Sequence, residues 1–234
     1  MKKYANHIAV IIPCYNESKT IASVIKEYQA AIPNAGIFVI DNNSTDHTGE
    51  IASQNGATVL YEKKQGKGNA VKCAFKSIDS QCYFLVDGDG TYPADKAQEM
   101  CNMILNQEAA MVTGDRLSSS YFSENKKILN SFGNRLVRKL INLIYHTNIK
   151  DVMTGSRALS SEFVESLPEI SDGFEIETEF TLHALNNGWK ITEIVIPYKD
   201  RPEGSISKIH VFSDGFKILK TIAKLRLKKN TKNE

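Results

Sequence analysis

The sequence predicts an α/β fold with a mostly parallel central sheet and helices on both faces. Short apolar runs alternate with helix-period segments through the first half of the chain, and polar residues gather where the runs end. Such alternation calls for right-handed crossovers, which lay helices over both faces of a parallel sheet. The predicted strands are 8–13 (IAVIIP), 37–41 (IFVID), 57–61 (ATVLY), 83–87 (YFLVD) and 109–114 (AAMVTG). Between them, 18–31, 47–55, 68–78 and 94–107 repeat apolar residues at helical spacing.

After Ser118 the pattern changes. Residues 125–146 predict one long helix, with Ile128, Phe132, Leu136, Leu140 and Ile144 at four-residue steps and a basic polar side of Lys126, Lys127, Arg135, Arg138 and Lys139. The stretch DVMTGSRAL (151–159) follows without an assigned element. A helix around 173–187, a strand at 189–198, a loop at 199–208 (KDRPEGSISK) and a basic amphipathic helix at 209–228 complete the chain. The expected organisation is one domain over 1–210, in two halves, 1–117 and 118–210, with a basic helix and tail at 211–234.

Composition sets the class. With 41% hydrophobic and 24% charged residues among 234, the chain is an ordinary globular protein, neither disordered nor fibrous. Its net charge of +2 is unevenly spread: residues 216–234 hold seven Lys or Arg and one Glu, so this tail carries +6 and the remainder −4. Cys14, Cys73, Cys82 and Cys101 show no CxxC or metal-ligand spacing, which points to reduced thiols and a cytoplasmic protein. The apolar run near the N-terminus reads as a first strand, not a signal peptide, and no stretch approaches the roughly 18–20 apolar residues that span a bilayer. Work at a membrane would therefore take place on its surface or through an anchoring partner. No nucleic acid partner is expected.

In an open α/β sheet, ligands sit beyond the carboxyl ends of the strands. Four predicted strands end in polar motifs there: PCYNE (13–17), DNNSTD (41–46), DGDG (87–90) and GDR (114–116). Any one of these would serve as an ordinary loop or helix cap, but four on one edge suit a polar ligand. Asp87 and Asp89 are hard oxygen ligands one residue apart, and Gly88 and Gly90 allow a tight turn. A divalent cation, Mg²⁺ or Mn²⁺, would offset their repulsion, completing its shell with water and substrate phosphates. An EF-hand fails, because Tyr92 stands at the required Gly and Gln98 at the required Glu. Arg116 ends the next strand, and Arg201 and Lys208 flank a loop able to close on a diphosphate. GKGN (66–69) lacks the spacing of a phosphate loop, and no GxGxxG follows the first strand, so a dinucleotide oxidoreductase is not supported.

The ordered set IPCYNE, DNNSTD, GKGNAVKCAF, VDGDGTYP, TGDR, MTGSRAL and PYKDRPEGSISK resembles glycosyltransferase family 2 of the GT-A fold, and within it the dolichyl/polyprenyl-phosphate sugar synthases. The resemblance covers roughly residues 7–210. It implies a nucleotide-sugar-binding first half and an acceptor half, with Pro13, Tyr15 and Glu17 lining the nucleoside pocket and Asp41 at the base. It further implies that Asp87 and Asp89 carry metal and diphosphate, and that Arg116, Arg201 and Lys208 bind phosphate. Asn42 and Asn43 stand where Asp and Gly are common, a departure that bears on base choice. Thr91 replaces a Gln frequent in mannosyl members and bears on the donor sugar. Asp87, Asp89, Arg116 and Arg201 are the expected catalytic set.

The implied reaction is an inverting displacement at the anomeric carbon with a UDP or GDP leaving group. A polyprenyl phosphate acceptor arrives already ionised and needs no general base, whereas a saccharide hydroxyl does. Lys127, Ser131 and Arg135 share a helix face and could hold an acceptor phosphate. The same spacing also describes a core-packing helix with a solvated basic face. The tail helix, with Phe216, Leu219, Ile222 and Ala223 on one side, suits either an anionic membrane surface or docking on the domain. Glu175 and Glu179 are candidates to face the site together, one of them as a base for a hydroxyl acceptor. Asp151 and Arg157 are expected to position the acceptor-side loop, and His183 and His210 to lie outside the chemistry. Two rival readings stand beside transfer to a lipid phosphate: transfer to a saccharide hydroxyl in glycan assembly, and a non-catalytic nucleotide-sugar-binding assembly partner.

Overall fold

The computed structural model describes residues 3–119, 128–201, 220 and 222. Seven strands are numbered in chain order: β1 (Tyr4–Cys14), β2 (Gly36–Asp41), β3 (Thr58–Tyr61), β4 (Ile78–Leu85), β5 (Met111–Asp115), β6 (Arg157–Ser160) and β7 (Ile191–Val195). They form one sheet in the order β3-β2-β1-β4-β6-β5-β7, parallel except for β6, which runs antiparallel to both β4 and β5. The chain moves outward from β1 through β2 to β3, then crosses back to lay β4 on the other side of β1. That reversal opens a crevice beyond the carboxyl ends of β1 and β4, the place where such sheets bind ligands.

The helices are α1 (Ile21–Ala31), α2 (Thr48–Gln54), α3 (Lys67–Ser77), α4 (Ala97–Leu105), α5 (Ile128–Tyr145), α6 (Ser161–Ser166) and α7 (Ile176–Asn187). Both faces of the sheet are covered because the central strands are apolar on both sides; Ile8 to Ile12 of β1 are all buried. Ile21, Val24, Ile25 and Tyr28 of α1, with Met100, Cys101 and Ile104 of α4, close one face. Ala70, Val71 and Ala74 of α3, Phe163 of α6, and Ile176, Phe180 and Ala184 of α7 close the other. A third cluster joins Val137 and Ile141 of α5 to Ile149, Val152, Leu182 and Ile222. Ile222 thus packs against α5 and the domain.

The five strands predicted in the first half are present. β4 starts at Ile78, five residues before the apolar run, because Asp79 and Gln81 point to solvent and mask its alternation. β6 had no predicted counterpart: it is four residues long, begins with an arginine, and is recognisable only through its pairing with Leu85 and Thr113. A Cβ on Gly68 would collide with the main-chain oxygen of Ser171, so the first turn of α3 lies directly against the loop leading into α7. Gly68→Ala is expected to cost about 1–3 kcal/mol, the usual penalty of overpacking, read as a lower urea midpoint at unchanged slope.

Candidate active site

Beyond the carboxyl edge lies a cavity of about 480 Å³. Four strand ends reach it as the sequence predicts: Pro13 and Cys14 end β1 and Tyr15 and Glu17 follow it, Asn42 follows β2, Asp87, Gly88 and Asp89 follow β4, and Arg116 follows β5. Lys67, Met153, Phe174, Glu177, Tyr198 and Arg201 complete much of the wall.

The two aspartates of the DGD turn are oriented differently. Asp89 is held locally, its Oδ1 accepting from Thr91 N at 3.1 Å and Thr91 Oγ1 at 2.7 Å. Its Oδ2 meets Arg201 Nη2 at 2.6 Å. Asp87 is held from a distance: its Oδ1 accepts from Lys67 Nζ at 2.5 Å, and its carboxylate rests against Gly155, where any Cβ would overlap it. Lys67 Nζ also reaches Glu177 Oε1 at 2.5 Å. Burial pulls the pKa of this ammonium down, but the carboxylates of Asp87 and Glu177 outweigh burial and raise it above that of an ordinary lysine. Burial also pushes Glu177 up, against the opposing pull of Lys67.

Lys67 and Glu177 are cavity-wall residues that the sequence does not single out, and for Lys67 a signal is present. Its signal is the GKG triplet. Gly66 has a φ of +130°, and a Cβ there would overlap the Asp172 carbonyl. The two glycines thus let the lysine between them enter the crevice while the main chain passes close by. Asn42 builds the approach to it. Its Nδ2 donates to Glu62 O at 3.0 Å and Lys64 O at 2.8 Å, and its Oδ1 accepts from Gly66 N at 2.7 Å. With all three contacts spent on the 62–66 loop, this amide holds the chain leading into α3.

Arg116 is fixed by Asp151, with Nε at 2.7 Å from Oδ2 and Nη2 at 3.0 Å from Oδ1, and by Met153 O at 2.9 Å. Its guanidinium lies over the rings of Tyr92 and Tyr198, 5.6 and 5.4 Å from their centroids. Asp151 in turn accepts through this pair while its own N–H donates to Glu193 at 3.2 Å. The inner wall therefore carries carboxylates and cations in alternation, arranged by elements from both halves of the chain.

Other predicted residues lie elsewhere. Asp41 is buried, with Oδ1 accepting from Ser44 N at 2.9 Å, and Thr91 is buried against Asp89; neither is part of the cavity wall. Arg135 is exposed on α5 and away from the cavity wall. Lys127, Lys208 and His210 lie outside the described residues, as does the side chain of Ser131. The expectation for Glu175 and Glu179 is corrected: α7 begins at Ile176, and its phase turns Glu177 inward with Thr181. Glu179 instead accepts from Ser171 N at 2.8 Å and Ser171 Oγ at 2.6 Å. His183 bonds Ser166 and Asn187 away from the site, as expected.

The mostly parallel seven-stranded sheet with helices on both faces is that of a GT-A glycosyltransferase. The chain belongs to glycosyl transferase family 2, whose model matches residues 9–167. It is 35% identical over 209 residues to glycosyltransferase AglJ of Haloferax volcanii, across 89% of this chain and 68% of AglJ. It is 30% identical over 220 residues to the dolichyl-phosphate hexose transferase of the same organism, across 94% of each. Glucosyl-3-phosphoglycerate synthase from Mycobacterium tuberculosis, solved with Mn²⁺, UDP and glucosyl-3-phosphoglycerate, superimposes with a TM-score of 0.76 at 18% identity, over 94% of this chain and 80% of that one. At that identity the likeness is one of fold.

Asn42→Asp turns two donated bonds into carboxylate–carbonyl contacts. It is expected to cost about 1–3 kcal/mol for the groups left unsatisfied and to raise the donor KM as Lys67 loosens, measured by denaturation and by initial rates.

Proposed function

We propose that this chain transfers a hexosyl group from a UDP- or GDP-sugar to a polyprenyl phosphate with inversion at the anomeric carbon. The observation that carries the reading is one cavity in which the DGD carboxylates face Lys67, Arg116 and Arg201. The name of the dolichyl-phosphate hexose transferase relative and the Mn²⁺ and UDP in the glucosyl-3-phosphoglycerate synthase structure support it.

Asp87 and Asp89 suit Mg²⁺ or Mn²⁺. They are hard oxygen donors, and no group of three or more potential His, Cys, Asp or Glu ligands occurs among the described residues, so a bound ion would draw its other ligands from phosphate and water. Such an ion supplies Lewis-acid neutralisation of the diphosphate. The protein's own part is electrostatic: Lys67, Arg116 and Arg201 face the position where charge gathers as the bond from anomeric carbon to diphosphate oxygen breaks and its electron pair stays on that oxygen. An acceptor phosphate oxygen, already ionised, forms the new bond on the opposite face. No proton moves in that step. Tyr92 and Tyr198 brace Arg116 and exclude water around it.

A saccharide hydroxyl acceptor is the second reading, and Glu177 favours it. This buried carboxylate on the cavity wall has a raised pKa and could take the hydroxyl proton. The full assay pairs labelled nucleotide sugar with undecaprenyl phosphate and looks for a mild-acid-labile lipid product. No lipid product alongside a labelled saccharide would select the second reading. Asp89→Asn is expected to lower transfer by at least about 100-fold, the scale seen when a key electrostatic group is lost; unchanged turnover in Mn²⁺ would misplace the ion.

Association with an anionic membrane face belongs to the same proposal. α5 exposes Leu136 (50%) and Leu143 (74%) beside exposed Arg135 and Lys139, and residues 125–150 contain no Asp or Glu. No helix among the described residues is long and apolar enough to cross a membrane. Leu143→Glu is expected to weaken co-sedimentation with phosphatidylglycerol vesicles and leave transfer to a short, soluble polyprenyl phosphate unchanged.

A further inference from the structure

Arg157 begins β6 in the middle of the sheet and is 1% exposed, the largest side chain so deeply buried. Burying a guanidinium costs several kcal/mol, which is ordinarily repaid by a carboxylate partner. Among the described residues Arg157 has none within ion-pair distance. Its Nε donates to Thr154 O at 3.1 Å, Nη1 to Thr181 Oγ1 at 3.2 Å and Nη2 to Val152 O, with Met111 Sδ 3.4 Å from Nη1. An apolar side chain would fill the volume but leave the Val152 and Thr154 carbonyls without a donor. The side chain therefore serves to hold these acceptors in place.

What it grips is the 151–155 loop. Two carbonyls of that loop, at Val152 and Thr154, point inward at one planar fork, a geometry that Arg offers and Lys does not. The residues between and beside them touch the site directly. Met153 O accepts from Arg116 Nη2 at 2.9 Å, Asp151 holds the same guanidinium from the other side, and Gly155 is the surface against which the Asp87 carboxylate rests. Gly155 N further donates to Tyr92 Oη at 2.7 Å, fixing the ring beneath Arg116. A second observation concerns charge. Lys67 serves two carboxylates, Asp87 and Glu177, and so leaves that cluster one negative charge in excess. Arg157 and Glu177 line one small cavity of about 10 Å³, and burial lowers the Arg157 pKa while Glu177 and Asp151 oppose the fall.

We propose that Arg157 is a positioning residue for the diphosphate side of the site, setting Asp87 and Arg116 together through the loop between them. The sequence reading gave Arg157 to an acceptor-side loop; the contacts assign it to the metal and diphosphate side instead. The proposal rests on the nucleotide-sugar reading given above.

The test is Arg157→Met in the full chain, with Mn²⁺-dependent binding of UDP and GDP measured by calorimetry beside thermal unfolding. Arg157→Met removes a buried charge but leaves the carbonyls of Val152 and Thr154 without their donor, so the unfolding midpoint should fall modestly while the chain stays folded. Nucleotide affinity in Mn²⁺ should fall about 10- to 100-fold, as for other groups that orient metal ligands. Arg157→Lys should fall between, since it keeps the charge but loses the fork. In turnover, the donor KM should rise more than the acceptor KM. Wild-type nucleotide affinity in Arg157→Met overturns the proposal, and so does an equal rise in donor and acceptor KM, which would make Arg157 a fold residue. Should Arg157→Met not fold, unchanged affinity in Arg157→Lys overturns it equally. If the wild type binds neither nucleotide, the donor reading itself fails and the inference with it.

Discussion

Lys67 Nζ stands 2.5 Å from Asp87 Oδ1 and 2.5 Å from Glu177 Oε1, and most of the site depends on that bridge. Asp87 belongs to the turn after β4 and Glu177 to α7, so one ammonium joins the first half of the chain to the second. Each of the three groups would be costly to bury alone. Together they make the carboxylate edge tolerable without solvent, and they hold it where a polar ligand can use it. The two like charges of the DGD turn are in this way answered by cations of the protein, Lys67 on one aspartate and Arg201 on the other.

That bridge requires two segments to pass unusually close. Gly66 and Gly68 lie against the carbonyls of Asp172 and Ser171, and Lys64 and Lys72 clamp Asp172 from two sides. The hydrogen bonds from both lysines hold Asp172 down at about 2. The clamp is half exposed and contributes little by itself. Its effect is geometric, because it keeps the loop before α7 in register with α3, and the inward phase of Glu177 follows from where that helix starts.

Legibility in the sequence divides along the same line. Strand ends were readable because apolar runs stopping at Pro13, Asp41, Asp87 and Arg116 state their own topology once the strands are taken as parallel. The family resemblance then linked those ends to a glycosyltransferase. Lys67 is not readable, because GKGN lacks the spacing of a phosphate loop and its glycines answer to main chain a hundred residues away. Glu177 was missed through phase: three glutamates at alternate positions cannot be sorted until the first residue of α7 is known. β6 was missed because four residues headed by arginine carry too little pattern, and its pairing is wholly tertiary.

The same contrast separates the two aspartates that define the turn. Asp89 takes the orientation of one oxygen from Thr91, two residues on, and pairs the other with Arg201. Asp87 takes its orientation from Lys67 on α3 and Gly155 before β6, neither of which is near it in sequence. Changes in α3 and in the loop before β6 should therefore act on Asp87, and changes at Arg201 on Asp89. The two carboxylates are thus held asymmetrically, Asp89 by its own turn and Arg201 and Asp87 by α3 and the loop before β6, and it is on Asp87 that Asn42, Lys67 and Arg157 converge.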